Sequence, residues 1–365
     1  MDIVAFINGG TSTSFQLEVS VKIDQVTPAD VTVVSFYDSS LADADSDVTD
    51  YDMDFRPLGA SSRFDTAAYR QLRALLHDYD ILHTHYNFVG SAGRLASIGT
   101  DTKIVNTEHT DHRRMSHLQN AVNAPTYPAI DTMVFNSQST RDSLRAYERP
   151  FLTGTDCRVV HNGVDFDRLR KGQERSDIPD LPAGPKIVTA ARLVPVKNLD
   201  TLVRAMKSVV ASISDAQLVV IGDGPEQPKL QRLAADLDLS ESTTFLGRLE
   251  REQVYGTIAQ CDVFAVPSLY EGFCNAAVEA MGLGLPVVAS DIDVLREVVD
   301  DAGRFADPRD PEEFAEQIIT VLTDDELRQQ LGSDGSTRAA ENFTIEKSAK
   351  QYYDIYTELV EGDGN

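Results

Sequence analysis

The residues with most chemical potential lie in one stretch, Pro267-Ser268-Leu269-Tyr270-Glu271-Gly272-Phe273-Cys274-Asn275-Ala276-Ala277-Val278-Glu279-Ala280. An apolar run, Val263–Val266, precedes it and a helical pattern follows, so it reads as a strand–loop–helix junction. Gly272 permits a tight backbone path in the loop. The amides of Phe273, Cys274 and Asn275 would then stand at a helix N-terminus, which carries about +0.5 charge and suits an anion. Glu271 falls in the loop and Glu279 about two turns into the helix, so the pair can address different parts of one ligand. Carboxylates accept hydrogen bonds from vicinal hydroxyls, which fits a sugar or a ribose. Two unrelated surface glutamates on a helix would leave the same spacing.

A second stretch, Ala190-Ala191-Arg192-Leu193-Val194-Pro195-Val196-Lys197-Asn198-Leu199, sets two cations in a loop after the apolar run Lys186–Ala190. Cations at a strand's carboxyl end can neutralise a diphosphate and stabilise it as a leaving group. An ordinary solvated basic loop is the alternative. Two glycine turns, Gly222-Asp223-Gly224-Pro225 and Gly247-Arg248-Leu249, end further strand-like runs. A Gly-x-Gly without a third glycine is weak evidence on its own. His83, His85, His109, Asp111 and His112 have types that could ligate a metal. Yet His83 and His85 lie two apart on a strand and face one side, which suits packing equally. Asp291-Ile292-Asp293 follows a strand-like run, where a plain βα loop is expected anyway.

These segments need a scaffold, and the hydrophobic pattern supplies one. Ile3–Asn8, Val31–Phe36, Ile81–His85, Ile104–Thr107 and Thr132–Asn136 read as strands of a first half. Lys186–Ala190, Gln217–Ile221, Thr244–Leu246, Val263–Val266 and Pro286–Ala289 read as strands of a second. Helical spacing marks Thr66–Leu76, Thr201–Ser212, Lys229–Asp236, Arg251–Ala259, Asn275–Met281 and Pro311–Thr323. Near-continuous apolar strands alternating with helices imply parallel sheets covered on both faces. The pattern pauses at Asp165–Pro185, which reads as an interdomain linker. The fold class is α/β, with two doubly wound domains: residues 1–166 plus a closing helix at 346–365, and residues 167–345.

The 365 residues fit two domains, and a charged fraction of 25% with 42% hydrophobic residues excludes general disorder. A formal net charge of −25 repels phosphate backbones and anionic headgroups, so nucleic-acid binding is not expected. Acid spread along the chain also suits a salt-rich cytoplasm, where screening quenches self-repulsion. Three scattered cysteines without a CxxC disfavour a disulfide scaffold, and no apolar run is long enough to span a bilayer. The expected location is the cytoplasm.

Arg192…Lys197, Gly222-Asp223-Gly224-Pro225, Phe245-Leu246-Gly247-Arg248 and Glu271-x7-Glu279 together resemble the donor half of glycosyltransferase family 4. The resemblance implies the GT-B fold: two Rossmann-like domains facing across a cleft, with the C-terminal helix crossing back to the first. It implies a retaining, metal-independent transferase that needs no cofactor and takes a UDP- or GDP-linked sugar as co-substrate. Arg192 and Lys197 would hold the diphosphate, Glu279 the ribose and Glu271 the transferred sugar. Gly272, Phe273, Cys274 and Asn275 would contact sugar and phosphate, while Gly247, Arg248 and Leu249 flank the base. In the first half Gly10 would approach the donor phosphates and His109 the transferred sugar. Catalytic roles fall to Arg192, Lys197, Glu271 and His109. The acceptor, a glycan, lipid-linked or small molecule, is expected on the first domain, with polysaccharide assembly as the family-level setting. Arg113 and Arg114 form no sustained basic helix, so membrane contact is expected to be transient at most. The oligomeric state stays open. A non-catalytic sugar-nucleotide-binding subunit, a non-hydrolysing epimerase of the same fold and a metal hydrolase are the alternatives.

Overall fold

Short runs of aliphatic and β-branched residues build two parallel sheets. The computed structural model describes residues 1–9, 15–38, 53–85 and 88–362, so Gly10 lies outside the described residues. Among these, the first sheet comprises β1 (Asp2–Ile7), β2 (Asp30–Ser35), β3 (Asp54–Pro57), β4 (Ile81–His85), β5 (Lys103–Glu108), β6 (Thr132–Phe135) and β7 (Asp156–Val159). The second comprises β8 (Lys186–Ala190), β9 (Gln217–Ile221), β10 (Thr243–Gly247), β11 (Val263–Val266), β12 (Val287–Ser290) and β13 (Gly303–Ala306). Their orders are β3-β2-β1-β4-β5-β6-β7 and β10-β9-β8-β11-β12-β13. Each order reverses once, between β1 and β4 and between β8 and β11. Ligands of open parallel sheets bind beyond the strands' carboxyl ends at such reversals.

Alternating side chains fill a core on each face. In the first sheet Ile3, Ala5, Val31, Val33, Ile81, Val105 and Val134 pack beneath the helices Phe15–Val26 and Ile345–Glu361. Val4, Phe6, Val34 and Leu82 take the opposite face, beneath helix Thr66–Leu76. In the second sheet Ile187, Leu218, Val220, Val263 and Ala265 pack with residues of helices Leu199–Ser212 and Pro311–Thr323. Val188, Val219, Phe264, Val266 and Val287 pack with those of Arg251–Ile258 and Asn275–Gly282. The chain divides into a unit of residues 1–163 plus the segment from Ile345 onward, and a unit Val164–Thr344. The closing helix thus returns to the first unit, where Tyr352 and Tyr356 are buried.

Two sequence expectations are corrected. Asp165–Pro185 is not a linker throughout. Asp165 accepts hydrogen bonds from the amides of Asp167 and Arg168 and caps a helix, Phe166–Gln173, whose Leu169 joins the second unit's core. Strands β3, β7 and β13 are additions to the expected set. All three are sheet edges with partly exposed residues, so they lack the continuous apolar run that betrays an interior strand.

Candidate active site

The loops after β8 and β11 meet at the second sheet's reversal point. The amide of Leu269 donates to the Val196 carbonyl at 2.9 Å, which joins the two loops directly. Asn198 adopts a left-handed conformation, φ +54°, which turns the chain into helix Leu199–Ser212. Its Nδ2 donates to the carbonyls of Pro267 (2.8 Å) and Pro308 (2.6 Å), so one amide fixes the loops after β8, β11 and β13. The Gly222 turn supports the same place from below. Its φ is +121°, and a Cβ there would meet the Ala191 carbonyl oxygen at 2.0 Å. Only glycine lets the backbone approach this closely.

On this frame Lys197 Nζ donates to Glu271 Oε1 at 2.6 Å, and Ser268 Oγ donates to the same oxygen at 2.7 Å. Burial works against the ammonium, but the Glu271 charge and hydrogen bond outweigh it and the Lys197 pKa is raised. Arg192 is exposed on the same loop, near enough that its charge opposes that of Lys197. Ala191, Lys197, Ser268, Glu271, Cys274 and Ala276 line a narrow hollow here. Cys274 stands at the N-cap of helix Asn275–Gly282 with φ +84°. Burial is the largest of the influences that push its thiol up to about 12, so it stays protonated at neutral pH.

Two turns along that helix, Glu279 Oε1 accepts from Arg251 Nη2 and from the Tyr255 hydroxyl, each at 3.0 Å. Arg251 and Tyr255 escaped the sequence reading, as did Ser268 and Asn198. A signal existed for the first two: they lie four apart on one helix, directly after the Gly247–Leu249 turn. Gly247 itself has φ +70° and ends β10, with Arg248 exposed and Leu249 half-buried. The second unit thus brings Arg192, Lys197 and Glu271 together, and holds Glu279 on the adjoining helix with partners of its own.

In the first unit His109 follows β5, and its Nε2 lies 3.1 Å from His85 Nδ1. Burial lowers His109 to about 4 and His83 to about 3, with the His109 charge also acting on His83. His83 bonds the hydroxyls of Thr107 (2.8 Å) and Tyr356 (2.7 Å). His112 belongs to a separate buried group, with Nδ1 2.8 Å from Glu148 Oε1. Asp291, in the Asp-x-Asp sequence, is held by both Nε and Nη2 of Arg296 at 2.7 Å. Among the described residues no three His, Cys, Asp or Glu side chains are grouped to hold a metal ion.

The model for Glycosyl transferases group 1 matches residues 173–338, and that for Glycosyltransferase Family 4 matches residues 28–168. A D-inositol 3-phosphate glycosyltransferase of Saccharomonospora viridis is 30% identical over 312 residues, spanning 77% of this chain and 70% of that protein. The chain belongs to glycosyltransferase family 4. This family 4 protein therefore transfers sugars from nucleotide-activated donors and has the GT-B fold. It is also 32% identical over 220 residues to a GDP-mannose-dependent monoacylated alpha-(1-6)-phosphatidylinositol monomannoside mannosyltransferase of Corynebacterium glutamicum, over 56% of each chain. The Anabaena HepE structure in complex with UDP and glucose superposes with a TM-score of 0.80 at 18% identity. That match covers 98% of this chain and all of the other.

Proposed function

We propose that the second unit grips a UDP- or GDP-linked hexose at the β8/β11 reversal, and that transfer proceeds with retention at the anomeric carbon. The observation that carries this reading is the convergence of Lys197 and Glu271, 2.6 Å apart, from two different loops at that point. Arg192, Lys197 and the N-terminus of helix Asn275–Gly282 oppose the charge that grows on the departing diphosphate. Glu271 takes hydroxyls of the transferred sugar and Glu279 those of the ribose. Amides of Gly272, Phe273, Cys274 and Asn275 face sugar and phosphate, and Gly247, Arg248 and Leu249 flank the base. His109, a neutral imidazole, hydrogen-bonds the transferred sugar. With side chains meeting the diphosphate charge, this reading assigns no metal ion and no cofactor.

The acceptor is a hydroxyl of a glycan, lipid-linked or small molecule, within polysaccharide assembly on the cytoplasmic side. No described helix is long and apolar enough to cross a membrane, and membrane contact in this reading is transient at most because Arg113 and Arg114 form no sustained basic helix. The net charge of −25 supports work in a salt-rich cytoplasm. A thermal-shift screen of UDP, GDP and their sugars in high salt tests the donor. A nucleotide at 100 times its Kd should add about 2.7 kcal/mol of stability. Proton NMR of the first-formed product tests retention. If neither nucleotide stabilises the chain, the donor assignment fails.

A further inference from the structure

Beneath the turn that carries His109 lies a buried group of charges that donor binding does not use. Arg94, Glu108, His112, Tyr127 and Glu148 meet there from separate segments, and none is more than 1% exposed. His112 Nδ1 lies 2.8 Å from Glu148 Oε1, which also accepts from the Tyr127 hydroxyl at 3.3 Å. His112 Nε2 has no hydrogen-bond partner and lies 3.7 Å from Glu108 Oε2. Arg94 joins through Asn106, whose Oδ1 accepts from Arg94 Nη1 and whose Nδ2 donates to Glu108 Oε1 at 3.1 Å.

Two carboxylates and one guanidinium leave this group short of one positive charge, and an unpaired buried charge is costly. His112 supplies the missing cation. As an imidazolium it donates from both ring nitrogens, Nδ1 to Glu148 and Nε2 towards Glu108. A neutral ring would turn a lone pair on one of the two carboxylates. Burial works against the charge, but the Glu148 hydrogen bond and the charges of Glu108, Glu148 and Asp111 outweigh it. The other charges nearby are engaged elsewhere. Asp111 pairs with Arg113. Arg145 donates to the carbonyls of His112 (3.3 Å), Arg113 (2.9 Å) and Met115 (3.3 Å), and its Nη1 lies 3.3 Å from His117 Nε2.

The backbone of His112 is held as firmly as its ring. Its amide donates to Ser143 Oγ at 2.9 Å, and its carbonyl accepts from Asn120 Nδ2 at 2.8 Å. Glu108 and His112 thus pin both ends of a short turn, with His109 between them. Successive strand residues point to opposite faces. Asn106 and Glu108 therefore enter the buried group, while Thr107 reaches Tyr352 of the closing helix and His109 meets His85 at 3.1 Å. We propose that His112, clamped between Glu108 and Glu148, is a positioning residue that fixes this turn and so places the His109 imidazole for transfer. This rests on the reading that gives His109 a hydrogen bond to the transferred sugar.

The test follows the imidazole resonances of the full chain, labelled with 15N-histidine, as pH rises from neutrality. His85 and His109 stay uncharged over that range, since burial above all holds both well below the ordinary value, His109 at about 4. Their resonances should nevertheless shift in step with the titration of His112. Glu148→Gln keeps an acceptor for Nδ1 but removes its charge, so all three transitions should move together to lower pH. In His112→Gln the shifts of His85 and His109 should vanish. Donor turnover, read as UDP or GDP released from UDP-glucose or GDP-mannose, should fall with the same pH dependence. In His112→Gln, kcat should drop by up to about a hundredfold, the cost of misplacing a positioned group by about 1 Å, while donor KM changes little. A residue that only stabilises the fold would move the unfolding midpoint and leave both rings still. Should either variant fail to fold, the titration of the unmodified chain decides alone. Rings that ignore His112 overturn the proposal. Rings that follow it while turnover stays level overturn it as well, and put the fault in the role given to His109. Nucleotide thermal shifts in the same samples report on the donor reading alone, so that reading and this one fail separately.

Discussion

Lys197 Nζ lies 2.6 Å from Glu271 Oε1, and the Ser268 hydroxyl donates to that same oxygen at 2.7 Å. In the proposed function, a diphosphate reaching Lys197 would compete with Glu271 for the ammonium and free Glu271 to accept from the sugar, so cation and carboxylate would act as one device. Lys197→Ala should lower kcat at least a hundredfold, by analogy with the roughly 2.7–4 kcal/mol lost with an oxyanion donor. Combined with Glu271→Gln, the loss should be smaller than the product of the two single losses, because each removes the same contact. Steady-state kinetics of the four proteins checks this. Independent, multiplicative losses would separate the two residues.

Tyr255 and Arg251 hold the other glutamate. The Tyr255 hydroxyl and Arg251 Nη2 both reach Glu279 Oε1 at 3.0 Å, which fixes the carboxylate that the proposed function assigns to the ribose. Tyr255→Phe removes one of these bonds, worth about 1 kcal/mol. Nucleotide affinity measured by calorimetry should fall several-fold while kcat changes little. An unchanged Kd would mean that Arg251 alone orients the carboxylate.

The residues that converge on this candidate site were partly legible in the sequence, and what escaped did so for physical reasons. Lys197, Glu271 and Glu279 announced themselves because charged residues beside strand ends stand out from an apolar background. Ser268, Asn198 and Tyr255 are ordinary residue types in ordinary segments. The importance of Asn198 and Tyr255 lies in contacts between distant parts of the chain, such as Asn198 with Pro308, 110 positions away, and that of Ser268 in a loop geometry that turns its hydroxyl onto Glu271. The interior strands were readable since both their faces are buried. Edge strands β3, β7 and β13 were not, because exposure relaxes composition there. Helix Phe166–Gln173 hid behind charge: its residues are mostly polar, and only Leu169 and Gly172 are buried.

Cys274 occupies a backbone geometry that favours glycine. At φ +84° any side chain is strained, by about 1–2 kcal/mol in the left-handed region. Cys274→Gly and Cys274→Ala both lose the buried thiol, but only glycine escapes the strain. The glycine variant should therefore be the more stable of the two by roughly 1 kcal/mol, as read from urea unfolding. With its thiol near 12, Cys274 should also resist alkylation in the folded chain at neutral pH. An alanine variant as stable as the glycine one would mean the surrounding loop shifts to relieve the strain.

The histidines of the first unit push stability in opposite directions as pH changes. Burial first, and the His109 charge second, hold His83 at about 3, while burial holds His109 at about 4. In the unfolded chain both titrate near 6.5, so below about that pH the unfolded state takes up protons that the fold refuses. Stability is then lost as pH falls from about 6.5 towards 4, at up to roughly 1.4 kcal/mol per pH unit for each histidine. His112 has the other sign. Burial opposes its charge, but the hydrogen bond it donates to Glu148 and the charges of Glu108, Glu148 and Asp111 prevail, and its pKa is raised. Its contribution is complete below about 6.5 and disappears as pH climbs through the raised value. Unfolding midpoints should therefore fall on both sides of neutrality, with His83→Gln flattening the acid limb and His112→Gln the alkaline one. The two variants separate the limbs because His83 bonds Thr107 and Tyr356, whereas His112 bonds Glu148 in a different buried group. Acid and alkaline limbs that both survive these substitutions would assign the pH dependence to the surface carboxylates instead.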